Sequence, residues 1–190
     1  KPHTYSLLAL YPCATQSDGE FGIQFDVFYK LKKKSILGGK HGTKLNLNYS
    51  KITSLDGGPS FLNDNKQYTP PFFSFSNENV KTYFEEINLE VNRKINRKMR
   101  ANFVLSNQTY NRDLLEGHTE GDFGVLNSTI LVADITYKIK KSHTIRIELQ
   151  SLTSKQLEHA EEHAEGDWSM GLIEYTISPN WFFSIQDMYN

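Results

Sequence analysis

The sequence predicts an all-β fold in which an antiparallel up-and-down meander forms part of a transmembrane β-barrel. Three observations lead to this prediction. Apolar and polar residues alternate with period two over long stretches, the polar positions carry Asn, Gln, Glu, Asp and Lys from end to end, and short and long connections alternate along the chain. A period of two is typical of a strand whose two faces differ.

The first three predicted strands lie at about 3–11, 20–32 and 44–50, and the alternation is weaker in the first. In the second, the odd positions are the apolar ones: Phe21, Ile23, Phe25, Val27, Tyr29 and Leu31. The third repeats the pattern, with Leu45, Leu47 and Tyr49 against Asn46, Asn48 and Ser50. Each stretch therefore has one apolar and one polar face.

The remaining predicted strands are 83–94, 98–108, 131–140, 144–150, 168–177 and 181–189, with the last two weaker. This makes about nine strands in a single β-barrel segment that occupies residues 1–190. Nine is an odd count in a fold that usually closes on an even one. We therefore expect an incomplete, internal piece of a longer barrel.

Strand length and the polar face favour a membrane barrel over a soluble sheet. Four of the six clearer strands run to about ten residues or more, which is the length that crosses a bilayer, whereas strands of soluble proteins commonly have five or six. We expect a lumen-facing set of Glu86, Asn88, Glu90, Asn92, Asn102, Gln108, Asp134 and Glu148. The residues expected to face lipid are Ile87, Leu89, Val91, Phe103, Ile135 and Ile145. A large soluble sheet with one solvated face remains the alternative.

Composition excludes several classes of protein. The formal net charge of −1 gives no overall field to recruit nucleic acid. A single cysteine, Cys13, excludes an internal disulfide framework and a cysteine-rich zinc module. Aromatic residues make up 13% of the chain and many lie near predicted strand ends, as in the interfacial girdles of membrane barrels.

Charge is divided between the two kinds of connection. Lysine and arginine cluster at the short turns, whereas Asp and Glu dominate the long loops. Short periplasmic turns and longer extracellular loops are typical of outer-membrane barrels. Although the net charge is near zero, we therefore expect positive charge at the short turns and negative charge at the long loops, so that the molecule is dipolar.

The sequence matches known catalytic and metal-binding motifs only in part. His159 and His163 are four residues apart, so a helical turn would place both on one face as a candidate site for a divalent metal. The zinc-protease pattern fails, because Ala160 follows His159 where glutamate is required. Glu86 and Glu90 share a strand face but are roughly 13 Å apart, too far for glycosidase chemistry. We expect no catalytic residue and no cofactor.

Two segments of the sequence carry a resemblance to a known family. They are Tyr11-Pro12-Cys13-Ala14-Thr15-Gln16-Ser17-Asp18-Gly19-Glu20 and Leu37-Gly38-Gly39-Lys40-His41-Gly42-Thr43. Both resemble a porin-like outer-membrane β-barrel family of unknown function from the Bacteroidota. Ile147-Glu148-Leu149-Gln150, Trp168 through Pro179, and Asp187-Met188-Tyr189-Asn190 look like later strands of the same family. The resemblance implies an internal piece of a barrel in the outer membrane of a Gram-negative bacterium. It transfers no catalytic residue.

The sequence thus favours an outer-membrane β-barrel protein that serves as a pore, transporter or membrane-assembly component without enzymatic chemistry. Its expected partners are the lipid bilayer, lipopolysaccharide and other outer-membrane proteins, with no nucleic acid. The alternative is a soluble β-sandwich or lipocalin-like module that binds a sugar or a lipid. A hydrolase that uses the loop carboxylates Glu161 or Glu162 ranks last.

Overall fold

The residues that the structure describes form one antiparallel sheet of eight strands in sequence order. A computed structural model describes residues 4–16, 19–55, 80–119, 121–155 and 166–190. Each strand pairs with the next one along the chain, in the order β1-β2-β3-β4-β5-β6-β7-β8. The predicted all-β, up-and-down meander is therefore confirmed.

The strands are long, and one short helix interrupts their connections. The strand bounds are β1 Phe21–Lys30, β2 Thr43–Thr53, β3 Thr82–Lys94, β4 Met99–Asn111, β5 Val125–Lys138, β6 His143–Lys155, β7 Trp168–Ile177 and β8 Trp181–Tyr189. The helix α1 spans Arg112–Glu116. None of the helices in the described ranges is long and apolar enough to cross a membrane.

The predicted strand at 3–11 is wrong, so the described residues form eight strands and not the nine expected. The described part of this stretch contains a 3-10 helix, Leu7–Ala9, and joins no strand of the sheet. Its residues alternate only weakly, because Leu8 and Leu10 are apolar as well as Tyr5 and Leu7. Leu7 and Leu8 are both buried, which a turn of helix allows and an extended strand lying on one surface does not.

The two faces of the sheet differ in polarity. Even-numbered residues of the strands project to what we call the inner face, and odd-numbered residues to the outer face. On the inner face, Glu86, Ser106 and Gln108 are buried. On the outer face, large apolar side chains are exposed, among them Phe25, Leu47, Ile87, Leu89, Phe103, Leu105, Leu131, Ile147, Leu149, Ile173 and Ile185.

The sheet is open within the described residues. There, β1 pairs only with β2 and β8 pairs only with β7. The side chains of both edge strands are mostly exposed on either face. Closure into a transmembrane barrel therefore stays a prediction.

The turn between β3 and β4 is tight and is stabilised by hydrogen bonds to the Asn96 side chain. The Asn96 side-chain oxygen accepts hydrogen bonds from the backbone N–H of Lys98 at 2.7 Å and of Met99 at 2.9 Å. The Ile95 N–H donates to the Met99 carbonyl at 3.0 Å. Asparagine favours such turns because its side chain can bond to the backbone two residues ahead.

The longer connection between β4 and β5 is organised by Asp113 in α1. Its carboxylate accepts from the backbone N–H groups of Gly121 at 2.7 Å, Phe123 at 2.8 Å and Gly124 at 3.0 Å. Burial acts to raise the pKa of Asp113, but the three N–H groups outweigh it and the net pKa is lowered. The ionised carboxylate therefore holds this connection in place.

Acidification is expected to release this connection. Because the pKa of Asp113 is lower in the folded than in the unfolded chain, its stabilisation is complete above about pH 5 and is lost progressively as pH falls through the unfolded and then the folded pKa. Hydrogen exchange of the amides at 121–124, corrected for intrinsic rates, should accelerate at low pH. At neutral pH, Asp113→Ala should have the same effect and Asp122→Ala, at an exposed position, should not. Unchanged protection in Asp113→Ala would contradict this assignment.

Candidate functional site

The N-terminal segment crosses the inner face of the sheet. We call residues 4–16 the strap. Leu7, Leu8 and Tyr11 of the strap are buried, with exposed fractions of 0%, 2% and 6%. They pack in one apolar cluster with inner-face residues of the sheet: Phe84, Val104, Tyr110, Leu126, Ile130, Val132, Leu152, Met170 and Leu172. The strap therefore supplies the apolar cover that this face lacks by itself.

Side chains of the sheet bind the strap backbone. The Leu7 N–H donates to the Gln150 side-chain oxygen at 2.9 Å, and the Gln108 side-chain amide donates to the Leu8 carbonyl at 3.0 Å. Gln150 also donates to the Ser6 hydroxyl at 3.2 Å. A buried backbone group without a partner is costly, so these two glutamines fix the position of the strap.

Tyr5 attaches the beginning of the strap to two further strands. Its hydroxyl donates to the Asp134 carboxylate at 3.2 Å and accepts from the Asn102 amide at 2.7 Å. Burial, opposed by the Asn102 bond and assisted by Asp134, raises the pKa of Tyr5 to about 12. The phenol therefore keeps its proton at neutral pH and acts as a structural donor.

Beside the strap, Glu86 is a fully covered carboxylate. Its exposed fraction is 1%. One of its oxygens accepts from the Ser106 hydroxyl at 2.8 Å, the Gln108 amide at 3.3 Å and the Asn88 amide at 3.5 Å. Burial of a charge is tolerated only where it is bonded in this way. These bonds join Glu86 to the neighbouring strand β4 and to Asn88 on its own strand.

A second polar cluster surrounds Arg146. Its guanidinium pairs with Asp134 at 3.1 Å and with Glu174 at 3.0 Å, and it also contacts Glu148. One cation therefore serves three carboxylates on β5, β6 and β7. The described part of the chain holds no group of three or more His, Cys, Asp or Glu side chains arranged to bind a metal. Arg146 occupies the position between these carboxylates.

All eight residues expected to face a lumen lie on the inner face. Of these, Glu86, Asn88, Gln108 and Glu148 are buried, Glu90, Asn102 and Asp134 are partly covered, and Asn92 is exposed. Whether this face borders a lumen stays a prediction. His159, His163, Glu161 and Glu162 lie outside the described residues.

Sequence reasoning missed the strap and the centre of the carboxylate cluster. Arg146 and Glu174 had a usable signal, because both occupy even positions and the strands that carry them are neighbours. Tyr5, Ser6 and Leu7 had none, since their partners lie far along the chain. At Cys13, burial, assisted by Glu20, raises the pKa of the thiol to about 11, so the protonated thiol predominates at neutral pH.

The fold and the site define an all-β protein with a long antiparallel meander, polar side chains buried beneath a strap, and apolar side chains exposed on the opposite face. The whole chain, residues 1–190, matches the family of unknown function DUF6029, and the protein belongs to that family. No curated protein and no solved structure matches the chain.

Removal of a buried strap side chain is expected to detach the strap. Leu7→Ala should cost about 2 to 5 kcal/mol, which raises the population with an open strap roughly 30-fold or more. Hydrogen exchange and limited proteolysis within residues 4–16 should report this opening. Thr4→Ala, at an exposed strap position, is the matched control and should leave both unchanged. Equal protection in the two variants would contradict the packing described above.

Proposed function

We propose that this chain forms part of the wall of an outer-membrane β-barrel in a Gram-negative bacterium and serves in transport or membrane assembly without enzymatic chemistry. The observation that carries the proposal is the inverted polarity of the sheet, which buries polar residues on one face and exposes apolar residues on the other. Barrels in a bilayer have this arrangement, because lipid contacts the outside and the interior is polar.

The apolar outer surface is continuous from strand to strand. Leu47, Leu89, Leu105 and Leu131 are successive partners across β2, β3, β4 and β5. Their exposed fractions are 41%, 37%, 41% and 52%. A contiguous apolar patch of this kind is unfavourable in water and marks a surface made for a membrane or another protein.

This apolar surface has a polar boundary toward the long loops. Asn107, Thr129 and Thr153 are successive partners on the outer faces of β4, β5 and β6. The Thr129 hydroxyl donates to the Asn107 side-chain oxygen at 2.9 Å. In the proposed barrel these residues lie where the outer face leaves the hydrocarbon.

Aromatic residues border the outer face at the end where the short turns lie. Tyr29, Tyr137, Trp181 and Phe183 are exposed there, with fractions of 60%, 40%, 62% and 54%. Tyrosine and tryptophan are enriched at membrane interfaces, where an apolar ring and a polar group can both be accommodated. Together with the polar boundary, they delimit one apolar band.

In the proposed barrel the strap lies inside the wall and obstructs the interior. A transport role would therefore require the strap to move, whereas an assembly role would not. The two sheet edges that are unpaired within the described residues also need strand partners within a bilayer, since no water is available there to bond an unpaired edge.

The alternative is a soluble module that binds a sugar or a lipid. One observation favours it, a cavity of about 570 Å³ between the strap and β1, β2 and β3, with Leu8, Tyr11, Ile52 and Phe84 among its lining residues. No second sheet covers the outer face within the described residues, which a β-sandwich would require.

Solubility separates these two functions. A membrane barrel should need detergent to stay dispersed and should migrate differently on gels before and after heating. The full-length protein can be purified with and without detergent and compared by gel filtration and by this change in migration. A protein that is monodisperse without detergent would refute the membrane proposal and favour the soluble module.

The outer-face assignment can be tested by charge insertion. Leu89→Arg should destabilise the inserted barrel by about 2 to 4 kcal/mol if the position lies near the middle of the bilayer. Thr153→Arg, on the same face near the long loops, is the matched control and should cost about 0 to 1 kcal/mol. Urea titration of each variant in lipid vesicles, with the folded fraction read from its position on a gel without heating, measures both free energies of unfolding. Equal stability of the two variants would sink the assignment.

A further inference from the structure

One rim of the sheet carries most of the positive charge of the protein. The stretches 30–44, 93–100 and 138–141 hold fourteen of the 21 lysine and arginine residues of the chain and not one of its 22 Asp and Glu residues. These stretches comprise the short turns after β3 and β5 and the connection from β1 to β2, with the strand ends beside them. This rim is strongly cationic although the protein is nearly neutral.

The folded chain gathers part of this charge into one pocket. Lys40 and His41 from the β1–β2 connection, Asn96, Arg97 and Lys98 from the β3–β4 turn, and Tyr137 of β5 line a surface pocket of about 430 Å³. The Lys138 N–H donates to the Lys98 carbonyl at 2.8 Å and joins the turn to β5. With the bonds to the Asn96 side chain, this contact fixes the backbone of the turn that carries Arg97 and Lys98.

Within the described residues, no carboxylate forms an ion pair with Lys40, Arg97 or Lys98 of the pocket. The ion pairs of Lys51, Arg112, His118 and Arg146 all lie outside this rim. The pKa of His41 is lowered, first by burial and then by Lys94, Lys40, Lys33 and Arg97. The lysines and the arginine therefore act together as a positive field at this position.

The surroundings of the pocket indicate the class of ligand. Arginine and lysine side chains that converge without carboxylates are suited to the oxygens of a phosphate. Tyr137, which forms one wall, pairs with Met99 and Ile145 on the outer face, so the pocket adjoins the apolar band. A ligand that fits both surfaces has a phosphate group attached to an apolar body.

We propose that this pocket binds the phosphate of an anionic phospholipid headgroup, with the acyl chains of the lipid lying against the adjoining outer face. The proposal rests on the proposed membrane function and deepens it, because it identifies a lipid class that the wall selects. Basic pockets at membrane interfaces bind anionic headgroups by the same electrostatic attraction.

Reconstituted bilayers provide the test. The full-length protein is placed in nanodiscs of mixed phosphatidylglycerol and phosphatidylcholine, and the lipids retained after mild detergent extraction are quantified. The native protein should retain phosphatidylglycerol in preference, and Arg97→Gln with Lys98→Gln should reduce that preference on the order of tenfold. Lys51→Gln with Lys155→Gln removes the same charge at the opposite end of the strands and should not. Arg97→Lys with Lys98→Arg keeps the charge and should retain most of the preference.

Two further measurements separate the possible failures. Insertion into pure phosphatidylcholine, read by heat-modifiable migration, tests the membrane function by itself. Insertion without any preference for phosphatidylglycerol would overturn the headgroup site and leave the membrane function standing, whereas failure to insert would overturn both. If inorganic phosphate displaces phosphatidylglycerol at equal concentration, the pocket binds free phosphate and the lipid assignment is wrong.

Discussion

Hydrogen bonding of the polar side chains buried on the inner face is the constraint on which the rest of the structure depends. A carboxylate such as Glu86 cannot be covered unless donors surround it, because the cost of desolvating an unpaired charge is several kcal/mol or more. Its donors come from β3 and β4, the strand that carries it and the next one. The strap can then close over this part of the sheet. Polar cross-strand bonds and apolar cover are therefore parts of one arrangement and not separate features.

The strap and the sheet depend on one another. Residues 4–16 belong to no strand, so some strap backbone groups find partners in side chains of distant strands, as Leu7 does with Gln150 and Leu8 does with Gln108. In return, the strap covers Ile130 and Leu152, which are buried with exposed fractions of 0% and 1%. The strap backbone therefore depends on the sheet for hydrogen-bond partners, and the apolar inner-face residues depend on the strap for cover.

The sequence predicted the strands well where the apolar residues stay at positions of the same parity, odd or even, along the whole strand. The predicted strand 83–94 corresponds to Thr82–Lys94, and 98–108 to Met99–Asn111. The predicted start of β5 at 131 was late, because before this point the alternation continues in the opposite phase, with Leu126 and Ile130 facing inward. Parity also placed all eight polar residues on one face. The strap was beyond prediction, since its position depends on contacts with residues about a hundred positions away or more and not on local pattern.

This change of phase has a structural meaning in the proposed barrel. Toward the long loops the outer face becomes polar at Thr129 and Thr153, and at the same level the inner face becomes apolar at Ile130 and Leu152. The outer change fits departure from the hydrocarbon, and the inner change fits contact with the strap, whose Tyr11 ring lies 5.5 Å from that of Tyr110 near the same end. Toward the short turns, the inner face instead carries Lys44, Glu90, Asn92 and Arg100 around a cavity of about 630 Å³. The strap would therefore close the barrel interior toward the long loops and leave a charged vestibule toward the short turns.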